Sequence, residues 1–184
     1  MSIATDWGTT AEERAMTYPC DAILTDAHAA YYRGVTVNAP AATIFRWLCQ
    51  LRVAPYSYDW IDNFGKQSPQ ELTPGLGELE PGQRVMGQFE LVDFERDRHM
   101  TMRTLADSPL LGLLGEAIVT YLILPVSSNE SRLLVKVLAR VPRGPVGWLV
   151  RVFLPWGDLI MMRKQLLNLG RLAENKTGEP GRAN

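Results

Sequence analysis

Residues 131–175, SRLLVKVLARVPRGPVGWLVRVFLPWGDLIMMRKQLLNLGRLAEN, change period halfway along. In Ser131–Val141 the apolar positions Leu133, Val135, Val137, Ala139 and Val141 fall on every second residue, the alternation of a strand with one buried face. Lys136 and Arg140 fall on the opposite face, which is expected to be partly wet. From Val146 to Asn175 the apolar positions recur at Leu149, Val152, Phe153 and Trp156, then at Leu159, Met162, Leu166 and Leu169, which is helical spacing. Pro155 removes an amide donor and crowds the carbonyl four residues back, so a kink or break is expected there. Asp158 would then stand near the start of a second helical segment, where a carboxylate complements exposed amides.

Working back, Ser131–Val141 pairs with Glu116–Pro125 across Ser127-Ser128-Asn129-Glu130, and Arg84–Glu95 pairs with Arg98–Leu105 across Arg96-Asp97. Both read as antiparallel hairpins. Tyr56–Gln83 is punctuated by Gly65, Pro69, Pro74, Gly75, Gly77, Pro81 and Gly82, and predicts short helices and turns. Ala30–Asn38 is a β-branched and aromatic strand. Ala39-Pro40 opens a helix on Ile44, Trp47, Leu48 and Leu51, which ends near Arg52–Pro55. Residues 1–29 form a polar leader with a short helix around Thr10–Met16, stopped by Tyr18-Pro19. Residues 30–175 form one domain, and 176–184 a frayed, flexible tail of Gly, Pro and charge. The order predicts an α+β fold, a curved antiparallel sheet with a long terminal helix laid across one face.

Composition narrows the class. The chain has 184 residues, 46% hydrophobic and 21% charged, with a net charge of −1, as expected of one globular domain rather than a disordered or fibrous chain. Nothing in the charge draws the chain to nucleic acid or anionic lipid as a whole, although a local basic patch stays open. Two cysteines, Cys20 and Cys49, fit a cytoplasmic, reducing setting, with one bridge between them left open. Met1–Arg14 lacks the apolar run of an export signal. Pro109–Val126 and Val146–Met162 are interrupted by Glu116 and Pro125, and by Arg151, Pro155 and Asp158, so neither is expected to span a bilayer.

Chemical motifs are sparse. His28 and His99 have no partner at zinc-ligand spacing. Asp59 and Asp62 are too few for a hard cation, so neither metal nor cofactor is expected. Gly75-Leu76-Gly77 ends at Glu80 where a dinucleotide loop needs glycine, and Gly65-Lys66 lacks the rest of a phosphate loop. His99 would act as a base only if its strand face pointed inward, and Met100 and Met102 are better inward candidates. Arg140, Arg143 and Arg151 read either as an anion-binding group or as a solvated rim.

The words Tyr32–Pro40 (YRGVTVNAP), Phe45–Leu48 (FRWL), Tyr56–Asn63 (YSYDWIDN), Gly82–Val85 (GQRV) and Leu154–Asp158 (LPWGD) resemble the START-related helix-grip superfamily, SRPBCC, and in it bacterial polyketide cyclase/dehydrase-like proteins. The resemblance spans residues 30–174. It implies a cavity between the concave sheet and the terminal helix, and a hydrophobic small-molecule ligand such as a lipid, polyketide or sterol-like compound. Fold does not choose between a binding protein, a cyclase, aromatase or dehydratase, and an interaction module, nor between monomer and homodimer. Candidate ligand-binding residues are Tyr58, Asp59 and Trp60 in the aromatic loop, Met100, Met102 and Tyr121 on strands, and Trp156 and Met162 on the helix. Met161 would join the thioethers facing the space. In the aromatic loop Asp59, Asp62 and Asn63 would supply hydrogen bonds to a polar head group. The plainer alternatives stay open: a solid core filled by the methionines, and a loop in which Trp60 and Ile61 anchor while Asp59 and Asp62 cap short helices.

Overall fold

The computed structural model describes residues 2–62, 65–142 and 144–175; Asn63, Arg143 and the tail lie outside them. The sheet runs β1 (Asp6–Trp7), β2 (Ala29–Val37), β7 (Glu130–Arg140), β6 (Glu116–Ser127), β5 (His99–Thr104), β4 (Phe89–Glu95), β3 (Arg84–Val85) in spatial order. All neighbours are antiparallel except β1, which lies parallel to β2. Helices α1 (Ala11–Ala15) and α2 (Pro19–Ile23) precede β2. Then α3 (Ala41–Cys49), which has Pro40 at its N-cap, continues through a 3₁₀ turn (Gln50–Arg52), and α4 (Asp59–Asp62) follows. Helix α5 (Pro109–Leu114) precedes β6, and α6 (Gly144–Glu174) ends the described chain.

Register builds the concave face in rows. Arg33, Val135, Tyr121 and Met100 lie side by side across β2, β7, β6 and β5. Tyr31, Val137, Val119 and Met102 form the next row, and Ala139 faces Ala117 beyond it. Because successive residues point to opposite faces, this parity sends His99, Thr101, Thr120 and Lys136 outward. Tyr31, Val37, Met100, Met102, Val135 and Leu169 join one large core with α3 and α6.

The outward face is wet at its margins, as at Arg140, but covered over its centre. Tyr18, Cys20 and Leu24 of the leader pack on Ile118, Leu122, Leu134 and Leu138 in a second apolar cluster. Lys136 is buried with its Nζ 2.5 Å from Asp21 and over the rings of Tyr18 and Tyr32. Burial works against its charge, yet the Asp21 hydrogen bond and its neighbours hold its pKa above the ordinary lysine value. The leader therefore covers the face that Lys136 marks in the sequence as solvated. Cys20 lies in this outer cluster and Cys49 in the main core, both as free thiols. Gly8 lets the leader reach the sheet edge: its φ is +75°, and a Cβ there would lie 2.1 Å from the Gly34 carbonyl oxygen.

Helix α6 runs its 31 residues without the break expected at Pro155. Arg33 explains why. Its guanidinium donates to the Pro155 carbonyl at 3.4 Å and to Asp158 at 2.7 Å, so β2 holds the helix at the proline and in the turn that follows it. Tertiary packing thus offsets a local penalty on the order of 3 kcal/mol. Asp158 consequently sits inside the helix rather than at a helix start.

Candidate functional site: a cavity under the terminal helix

A cavity of about 180 Å³ lies between the concave sheet and α6. Tyr31, Ala117, Val119, Tyr121, Val137 and Ala139 floor it from the strands. Its roof is a single stripe of α6, with Leu154, Asp158, Met161, Met162 and Gln165 facing the sheet. Spacings of four, three and four residues along 154, 158, 161 and 165 keep one helix face toward the sheet. Pro55, Met86 and Phe89 close one side, and Leu114 and Gly115, at the end of α5, close another.

Few polar groups interrupt this lining. The Tyr121 hydroxyl donates to Gln165 Oε1, and Gln165 Nε2 donates to the Pro55 carbonyl at 2.6 Å. One glutamine thus satisfies a buried phenol and ties the loop after the 3₁₀ turn to the helix. Burial lifts the Tyr121 pKa far above the ordinary tyrosine value, so the phenol is a neutral donor. Thr104 turns its hydroxyl to the Ala117 backbone.

Asp158 is the ionisable carboxyl on the wall. Burial pushes it up to about 6, against the pull of Arg33. Arg33 itself has no solvent exposure and also donates to the carbonyls of Tyr32 and Ala4 at 2.9 and 2.7 Å. Its Nε is without a partner among the described residues. The carboxylate therefore has a fixed counter-charge behind it and apolar space before it.

The structure places two of the predicted ligand-binding residues, Tyr121 and Met162, on the cavity wall, with Met161 beside them. Met100 and Met102 face inward as their parity requires, but lie fully buried in the core away from the lining. Tyr58 is half-buried and Trp60 exposed, neither in the lining. Asp59 accepts from the Ser68 backbone at 3.0 Å and from its hydroxyl, so it organises its own loop rather than a ligand. Trp156 is on the outer side of α6. His99 faces outward and pairs with Asp93 at 2.9 Å, away from the cavity. Arg140 pairs with Asp26 and Glu116, while Arg151 is exposed near the start of α6. Among the described residues no three His, Cys, Asp or Glu side chains gather to hold a metal ion.

Sequence reasoning misses Arg33, Tyr31 and Gln165. Each carried a signal: polar groups at inward positions of a strand or of the 154–165 helix stripe break an otherwise apolar pattern.

A mostly antiparallel sheet gripping one long terminal helix over a cavity is the helix-grip fold, and the chain is structurally similar to SRPBCC proteins. No family model and no curated protein matches the chain. Among solved structures, the Zhui aromatase/cyclase from a Streptomyces species is similar with a TM-score of 0.53 at 16% identity, over 84% of this chain and 98% of that one. A hypothetical protein from Helicobacter pylori gives 0.55 at 14% identity, over 86% and 96%. A protein from Thermobifida fusca gives 0.51 at 15% identity, over 82% and 97%. At such identities the likeness speaks to the fold. Among the described residues no helix is long and apolar enough to cross a membrane.

Proposed function

We propose that the protein binds a small hydrophobic molecule in the cavity under α6. The observation that supports this is a hollow of about 180 Å³ whose walls are nearly all apolar and whose polar groups are few and fixed. Apolar cavities of about 150 Å³ admit benzene, whereas sites for drug-sized ligands are roughly 300–1,000 Å³. Among lipid, polyketide and sterol-like ligands, this size favours one or two fused rings or the end of an acyl chain. The rest of a longer molecule would leave past Leu114 and Leu154. The Tyr121–Gln165 pair, whose protons are already donated, offers acceptor oxygens to a hydroxyl on the ligand. Free, buried Cys20 and Cys49, each pushed up to about 11 by burial, support a reducing, cytoplasmic setting.

The test is a titration of the full chain with 1-naphthol, followed through the methyl resonances of Ala117, Ala139, Met161 and Met162. Saturable shifts confined to these methyls are expected. Their absence would overturn the reading.

One observation favours a second reading, an enzyme of the cyclase or dehydratase kind. A carboxyl raised toward neutrality on the wall of an apolar site is suited to proton transfer. Asp158→Asn separates the two. A binding protein recovers the same host ligand with either chain, whereas an enzyme accumulates unconverted precursor only in the variant.

A further inference from the structure

The outer side of α6 carries what a water-facing helix ordinarily lacks. Trp148, Phe153, Ile160 and Trp156 are 65%, 66%, 53% and 50% exposed, and Leu149 and Val152 stand beside them. A contiguous ridge of this kind marks a surface that meets something apolar. Its charge is as one-sided as its hydrophobicity: the exposed residues of α6 between Gly144 and Leu167 include Arg151, Arg163 and Lys164 and no carboxylate. The acid of that stretch, Asp158, is turned inward to Arg33.

We propose that this ridge is a docking surface for a bilayer bearing anionic phospholipids. Tryptophan and phenylalanine enter the headgroup boundary readily, and cations on the same helix meet lipid phosphates. A chain of net charge −1 would not be drawn to such a surface as a whole, so the attraction is local and orients the molecule. A second copy of the chain fits the ridge less well, because the exposed cations of this stretch of α6 would find no exposed carboxylate on the same stretch of the other copy. Docking also has a direction relative to the cavity. Ridge residues Phe153 and Ile160 are chain neighbours of the lining residues Leu154 and Met161, and exposed Leu113 precedes Leu114. The ridge thus borders the cavity on the α5 and α6 side. The proposal concerns the surface and stands apart from what the cavity holds.

Flotation of the full chain with vesicles of phosphatidylcholine alone, and with added phosphatidylglycerol, tests it. The protein is expected to float with the anionic vesicles and to be released at high salt. Trp148→Ser/Phe153→Ser/Trp156→Ser is expected to lower the vesicle-bound fraction at least about a hundredfold, since three large apolar side chains no longer leave water, with an unchanged thermal midpoint. Arg151→Glu/Lys164→Glu, which leaves the apolar ridge intact, is expected to lose the preference for anionic vesicles. Wild-type protein that stays in solution with anionic vesicles would overturn the proposal, as would a triple variant that floats undiminished. A dimer in light scattering that the same substitutions dissociate would assign the ridge to a second copy instead. Because none of these readouts needs a ligand in the cavity, docking can fail while the binding reading stands.

Discussion

Arg33 on β2 and Asp158 on α6 meet at 2.7 Å, with the arginine side chain wholly buried and the aspartate 13% exposed. The pair joins the sheet to the helix at the wall of the cavity. The loss of hydration on burying the carboxylate outweighs the attraction of the guanidinium, which is why the Asp158 carboxyl stands at about 6 rather than at 3.8.

That relationship is directly measurable. The side-chain carboxyl carbon of Asp158 is expected to titrate with a midpoint near 6, and Arg33→Met is expected to raise it further by removing the counter-charge. A wild-type midpoint below 4 would show that the ion pair dominates burial, contrary to this account.

Stability follows with a definite sign. A carboxyl whose pKa rises on folding binds more protons in the folded state between about pH 4 and pH 6, so its contribution to stability declines as pH rises through that window. The decline is on the order of 3 kcal/mol. Asp158→Asn, which keeps the shape without the charge, is expected to match wild type in urea denaturation below pH 4 and to exceed it at pH 7. A variant less stable than wild type at pH 7 would contradict this. Gain on removing the carboxylate would also point to its retention for chemistry or ligand contact rather than for folding.

Tyr121→Phe leaves Gln165 Oε1 without the donor it has in the wild type. The cost expected is about 1–3 kcal/mol, the penalty of an unsatisfied buried acceptor, read as a lower urea midpoint with unchanged slope. Unchanged stability would mean that the Tyr121–Gln165 bond carries no net energy.

Ala139→Leu adds bulk where Ala139 faces Ala117 on the cavity floor. Because protein atoms leave room there, the substitution is expected to keep or raise the thermal midpoint and to abolish the methyl shifts produced by 1-naphthol. Undiminished shifts would place the probe elsewhere.

The strands and the terminal helix are legible in the sequence because their periods are enforced by burial. Leu133 to Val141 alternate since one face meets the core. Two features are not legible, for a common reason. Pro155 reads as a break because the pattern contains no sign of the Arg33 guanidinium that holds the helix around it. Lys136 reads as solvated because nothing local announces that Tyr18 and Asp21 will cover it. At the site, side-chain parity correctly turns Met100 and Met102 inward, but parity cannot tell core from cavity; that depends on how closely α6 approaches each row. The aromatic loop is the opposite case, where chemically rich side chains serve local structure, as Asp59 does with Ser68.

Native mass spectrometry of the protein purified from its own host tests the central claim most directly. A hollow binding site predicts a reproducible adduct of one small lipophilic mass on the wild-type chain, absent from Ala139→Leu. Repeated recovery of the bare wild-type mass, or an adduct retained equally by Ala139→Leu, would contradict it.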